Sequence, residues 1–343
     1  MKKNLNRLLS FLFIWHLIVA GSCKSDKPDP VPDPVTPFAK GADISWLSEM
    51  QTAGKKFYNS SGTEQDCITI LKNLGMNAIR LRVWVDPLAG WNGTADVLTK
   101  AIRAKNAGMR IMIDFHYSDT WADPGQQTKP AAWSALDLAG LQTAVYNHTF
   151  DVLTTLKNNG IIPEWVQVGN ETNDGMLWPT GKASASMANF ASLVKQGYNA
   201  VKAVSSQIKV IVHLSNGFDN NLYRWIFDGL VANGANWDVI GMSLYPEPTD
   251  WSTRNTQMLY NINDLISRYA REIMITEVGM SWDQPAACQS FLTDLISKMK
   301  AVPGNKVLGV FYWEPQSWGN WQGYTKGAFD NTGKPTAALN AFN

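Results

Sequence analysis

The stretch Trp165-Val166-Gln167-Val168-Gly169-Asn170-Glu171 reads as a short buried strand that ends on an amide and a carboxylic acid. Val166 and Val168 alternate with Gln167 and Gly169, so one face suits packing against helices and the other a narrow interior. Glu171 falls on the interior set and Asn170 on the other. Both can serve one site only if the strand bulges or turns at its end. Taken alone, such a pair is more often a cap after an ordinary strand. A second segment weighs against that: Ile273-Met274-Ile275-Thr276-Glu277 also ends on a glutamate, with the breaker Gly279 close behind. One acid to protonate a leaving oxygen and another to attack, or to activate water, is the pairing that glycoside hydrolysis requires.

Working outward, apolar strands are expected near residues 41–46, 77–84, 109–116, 164–171, 208–215, 238–245, 272–277 and 307–313. Between them apolar residues recur at helical spacing, as in Cys67, Ile70, Leu71 and Leu74, or Met258, Ile262, Leu265, Ile266 and Tyr269. Thr63 and Asp66 have the spacing of a capping box, and Gly160 marks a helix stop. This alternation predicts an α/β fold, a (β/α)8 barrel forming a single catalytic domain over 38–343; an open doubly wound sheet is the alternative. A nucleotide-binding sheet would carry a glycine fingerprint after its first strand, and Gly41-Ala42-Asp43-Ile44-Ser45-Trp46 has none.

In a barrel the chemistry sits at the C-terminal ends of the strands. Those ends are polar and aromatic here: Asp43; Arg80 and Arg82; Asp114 and His116; Asn170 and Glu171; His213 and Asn216; Ser243 and Tyr245; Glu277; Trp313 and Glu314. Each alone is more often structural than catalytic, but a merely stable barrel has no reason to ring two acids with hydrogen-bonding groups. An arginine beside Glu277 would keep it ionised, and a drier setting would keep Glu171 protonated.

The 343 residues carry 30 basic and 29 acidic side chains, which leaves no electrostatic footprint for nucleic acid or a polyanion. A neutral substrate follows. Fifteen tryptophans are well above ordinary usage, and those in loops, Trp84, Trp91, Trp121 and Trp318 among them, suit the flat C–H faces of sugars, whereas Trp165 and Trp237 beside strands fill core. Two isolated cysteines, Cys67 and Cys288, and scattered histidines build neither a disulfide framework nor a zinc site.

Residues 1–22 have a basic start, a short apolar run and small residues before Cys23, the pattern of a secretion signal. The run is too short to span a bilayer. The segment resembles that of bacterial lipoproteins, with Cys23 lipidated; ordinary cleavage after Ser22 is the alternative. Residues 23–37 then form a proline-rich tether, extended over roughly 40 Å at about 3.1 Å per residue. The expected product is exported, an outer-membrane or cell-surface lipoprotein that meets the membrane through its anchor, otherwise periplasmic or secreted.

Gly169-Asn170-Glu171, Thr276-Glu277 and Tyr245 at their strand ends resemble the clan of retaining (β/α)8 glycosidases. More specific are Arg80-Leu81-Arg82-Val83-Trp84, the run Asp114 to Gln127 with His116, Trp121 and Asp123, and Tyr312-Trp313-Glu314-Pro315. These resemble the arabinogalactan endo-β-1,4-galactanases, glycoside hydrolase family 53, from about Gly41 onward. The resemblance implies Glu171 as acid/base and Glu277 as nucleophile, with Asn170 on the sugar 2-hydroxyl and Tyr245 on the nucleophile. It implies Trp313 as the floor of the central subsite and Asp43, Arg82, His116, Trp121 and Asp123 as cleft lining. Alternation leaves open whether Arg80 or Arg82 faces the site. Some bacterial members bind calcium after strand seven, but 278–287 is short and lacks an acidic ladder, so no metal and no cofactor is expected.

The expected activity is endo-acting, retaining hydrolysis of β-1,4-galactan by a monomer, with the carboxyls about 5 to 5.5 Å apart. A mannanase or cellulase of the same clan is one alternative, and a non-catalytic surface glycan-binding barrel another. Galactose has an axial 4-hydroxyl and its β-1,4 chain bends, so Trp84, Trp91, Trp121 and Trp318 are candidates for a curved groove.

Overall fold

Eight parallel strands close in chain order into a barrel: β1 Ala39–Asp43, β2 Ala78–Val83, β3 Arg110–Phe115, β4 Trp165–Val168, β5 Lys209–Leu214, β6 Val239–Leu244, β7 Glu272–Val278 and β8 Val307–Trp313. The computed structural model describes residues 37–343. The leader, Cys23 and all of the tether but Pro37 lie outside the described residues. Each of the eight expected strands is present, and the open-sheet alternative is excluded by closure of β1 on β8. β1 stops at Asp43, short of Trp46, because Asp43 Oδ1 accepts from the Ser45 N–H at 2.9 Å and turns the chain.

The chain then enters a short helix, α1 Leu47–Thr52. The remaining helices are α2 Cys67–Asn73, α3 Thr94–Asn106, α4 Leu138–Asn158, α5 Met187–Val204, α6 Asn220–Ala232, α7 Trp251–Tyr269 and α8 Pro285–Lys300. The capping box does not form. Asp66 is itself the N-cap of α2, accepting from the Thr69 N–H at 3.0 Å, while the Thr63 N–H donates back to Asn59. Gly160 does stop α4, with a φ of 71°.

The barrel interior has an apolar base and a polar top. Each strand sends one residue into the base: Ala39, Ala78, Met112, Trp165, Ile211, Val239, Met274 and Phe311. Trp165 and Phe311 meet edge to face at 6.1 Å, and Gly41 makes room, since a Cβ there would lie 2.1 Å from the Phe311 ring. Two residues further along their strands come Arg80, Asp114, Gln167 and His213, all fully buried. This is the period-two alternation of a strand. β7 breaks it: a register shift against Met242 and Ser243 pairs Ser243 with Glu277, so Glu277, not Thr276, joins the inward set. The apolar faces of the helices cover the outside, and no helix among the described residues is long and apolar enough to cross a membrane.

Candidate active site

β4 ends at Val168, and the chain turns as its sequence requires. Gly169 takes a φ of 88°, where a Cβ would meet Thr172 at 2.5 Å, and Glu171 follows at a φ of 43°. A non-glycine residue in this region is strained and tends to mark a functional position. The turn brings Asn170 and Glu171 to the same side. Gln127 holds it by donating to the Asn170 carbonyl at 2.8 Å.

Arg80 is the hub beneath. Its Nη1 pairs with Asp43 at 2.7 Å, and its Nη2 lies 2.9 Å from each of Asp114, Glu277 and Asn170 Oδ1. Its Nε donates to Gln167 Oε1 at 2.6 Å. Burial works against the charge, but Asp114, Glu277 and Asp43 together hold Arg80 protonated. Asp114 stays below its usual range despite burial because Arg80 and His116 face it. His116 donates from Nε2 to Asp114 at 3.0 Å while its Nδ1 accepts from the Ala122 N–H at 3.1 Å; burial keeps the ring neutral.

Burial also lifts both Glu171 and Glu277 above the ordinary carboxylate range. Their partners differ. Glu277 meets the Arg80 guanidinium and the Tyr245 hydroxyl at 2.8 Å, whereas among the described residues the Glu171 carboxyl meets only the Ser243 hydroxyl, at 2.7 Å. Two close carboxyls release protons as a pair, and the first charge settles where the donors are strongest. The guanidinium and the phenol thus favour the charge on Glu277 over Glu171.

The two carboxyls share a cleft of about 890 Å³. Its aromatic floor is a bowl in which neighbours meet at steep angles: Trp46 with Trp121 at 76°, Trp84 with Trp121 at 87°, Trp121 with Trp313 at 60° and Trp313 with Tyr324 at 80°. Leu88, fully exposed, stands with Trp91 on the loop after β2 at the cleft wall.

The family profile described as glycosyl hydrolase family 53 matches residues 39–342. The chain belongs to glycosyl hydrolase family 53. Among its relatives, an uncharacterized protein of Niallia circulans is 37% identical over 308 residues, covering 81% of this chain and 83% of that one. An arabinogalactan endo-β-1,4-galactanase A of Aspergillus niger is 35% identical over 297 residues, 80% of this chain and 84% of the other. A solved structure from work on two fungal β-1,4-galactanases superposes with a TM-score of 0.81 at 32% identity, covering 89% of this chain and 98% of that one.

In this family 53 barrel, Trp84, Trp91, His116, Trp121, Asp123, Asn170, Glu171, Tyr245, Glu277 and Trp313 all line the cleft. Three expected lining residues do not. Asp43 and Arg82 are fully buried beneath the floor: Asp43 pairs with Arg80, and Arg82 lies 4.2 Å under the Trp121 ring and 3.5 Å from Glu314. Arg80, not Arg82, touches Glu277. Trp318 packs against Lys55, 4.0 Å away, and Gly333, outside the cleft. Sequence reasoning missed Trp46, Tyr324 and Leu88 as lining. Gln127 lies inside the diagnostic run after Asp114, a signal that could have found it.

Proposed function

We propose that this family 53 chain is an endo-acting, retaining hydrolase of β-1,4-galactosidic bonds in neutral pectic galactan. The observation that carries the reading is the unequal partnering of two buried carboxyls in one cleft. Glu277, ionised by Arg80 and oriented by Tyr245, attacks the anomeric carbon while Glu171 protonates the departing oxygen. Glu171, now a carboxylate, then takes a proton from the water that releases the glycosyl-enzyme. Asn170, its Nδ2 donating to the Ala122 carbonyl at 2.8 Å and its Oδ1 accepting from Arg80 Nη2 at 2.9 Å, is placed for the sugar 2-hydroxyl.

The relatives' substrate supports galactan, and so does the floor. A bent β-1,4-galactan chain suits rings set at steep angles to one another better than a flat ribbon would. Reducing-sugar release from galactan, mannan and carboxymethylcellulose side by side tests this. Release from galactan alone is expected; activity confined to the other two would overturn the substrate, and binding without release anywhere would make the barrel a lectin.

For residues 1–37 we infer export by the signal, lipidation at Cys23 and a tether that holds the barrel away from a membrane surface. The basic-apolar-small pattern before Cys23 supports this. A lipid mass on Cys23, with detergent partitioning lost in Cys23→Ala, is expected; an unmodified soluble product would overturn it.

A further inference from the structure

Ser243 and His213 have no part in the two-acid chemistry, yet both are buried against Glu171. The hydrogen bonds around them fix their polarity. Arg80 Nε donates to Gln167 Oε1, so the amide NH2 of Gln167 is what faces His213 Nδ1, at 2.9 Å. The Glu171 N–H also points at Nδ1, at 3.4 Å. Asn170 Oδ1, 3.0 Å away, favours the opposite tautomer, but Arg80 already occupies it and two donors outnumber it. A doubly protonated ring is disfavoured by burial and by the neighbouring Arg80 charge.

Nδ1 therefore accepts and Nε2 carries the hydrogen. It donates to Ser243 Oγ at 2.7 Å, and the Ser243 hydrogen goes to Glu171 Oε1 at 2.7 Å. Donation runs one way, from Arg80 through Gln167, His213 and Ser243 to Glu171.

We propose that His213, acting through Ser243, is a positioning residue that fixes Glu171 Oε1 as a hydrogen-bond acceptor and so places the transferable proton on Oε2. Among the described residues Ser243 alone hydrogen-bonds the Glu171 carboxyl, which leaves Oε2 for the substrate. This rests on Glu171 being the acid/base. Among the described residues the other charged or titratable groups that face the pair are Arg80 from β2, Asp114 and His116 at the end of β3, Asp123 from the following loop, Tyr223 from α6, and Tyr245 and Glu277 beyond β6 and on β7. None of them can replace the Ser243 contact.

The test compares Ser243→Ala, His213→Asn and His213→Gln with Glu171→Ala, on galactan and on dinitrophenyl β-galactobioside. Loss of the ordered proton should cut kcat/KM on galactan about tenfold, the size of one lost hydrogen bond. On the aryl substrate, whose leaving group needs no proton, the cut should be under about twofold. The alkaline limb of the galactan profile should move to higher pH, since Ser243 no longer favours the carboxylate. His213→Gln, which can set an N–H where Nε2–H stood, should recover more rate than His213→Asn.

Equal losses on both substrates, or an unmoved alkaline limb in folded Ser243→Ala, would overturn the role. So would His213→Gln behaving no better than His213→Asn. If the His213 variants do not fold, Ser243→Ala, which removes one oxygen, decides alone. Full galactan activity in Glu171→Ala would instead sink the acid/base reading, whereas an inert Glu171→Ala beside an unaltered Ser243→Ala sinks only the positioning role.

Discussion

Arg80 Nη2 stands 2.9 Å from Glu277 Oε1, so the cation that orders the barrel interior also favours the charge of the carboxylate proposed to attack. A lysine is a point charge on a flexible stem and cannot reach five acceptors at once. Arg80→Lys is expected to lower kcat/KM at least about a hundredfold. Breaking a buried pair on one side costs roughly 3–5 kcal/mol, so its melting temperature should fall too. Steady-state kinetics with calorimetry check both, and a variant within threefold of wild type would refute the hub.

The pH profile follows from the same partners. Activity needs Glu171 protonated, and burial lifts that group above the ordinary carboxylate range. Galactan kcat/KM should therefore fall as pH rises, with the alkaline limb lying above the range of an exposed glutamate. It should fall again in acid, where Glu277 takes up a proton and stops being a nucleophile. Tyr245→Phe removes a donor that favours ionised Glu277, so its acid limb should move to higher pH while the alkaline limb stays. Profiles of the two proteins settle the point, and an acid limb unmoved by the variant would count against the assignment.

The tryptophans divide by what they touch. Trp91 borders the cleft, and Trp91→Ala should raise KM roughly fivefold, about 1 kcal/mol of lost ring contact, with kcat little changed. Trp121 also covers Arg82, whose Nε and Nη2 are buried without a hydrogen-bond partner among the described residues; Trp121→Ala should lower both affinity and stability. Trp318→Ala should leave kinetics alone and cost about 2 kcal/mol of stability. Kinetics beside denaturant unfolding separate the three.

Much of this was legible because the barrel repeats one physical pattern. Apolar strands with period-two alternation gave the number and order of strands and placed Gln167 inside and Val166 and Val168 outside. The turn after Val168 followed from Gly169 and from two functional side chains on opposite faces. What alternation could not decide was depth. Arg80 and Arg82 point the same way, two residues apart, and only the closed barrel shows that Arg80 meets the carboxylates while Arg82 sits under indoles. Trp318 misled because composition cannot tell a cleft ring from one packed against a lysine ammonium. The shift that turns Glu277 inward depends on pairing with β6, which no local signal reports.

The two acids should fail in different ways, and azide reads the difference. Glu277→Ala removes the nucleophile, so both half-reactions stop, but it leaves the Arg80 guanidinium facing the vacated space where a small anion can sit. Azide entering there attacks the same face as Glu277 did and should give an α-galactosyl azide from an activated aryl substrate. Glu171→Ala should still form the glycosyl-enzyme from that substrate and then stall without a general base. Azide needs no base, enters where the Ser243 hydroxyl faces open space, and should release a β-configured product. Product anomers read by NMR decide: the same anomer from both variants, or inverted sugar from the wild-type enzyme, would rule out a retaining mechanism with these two roles.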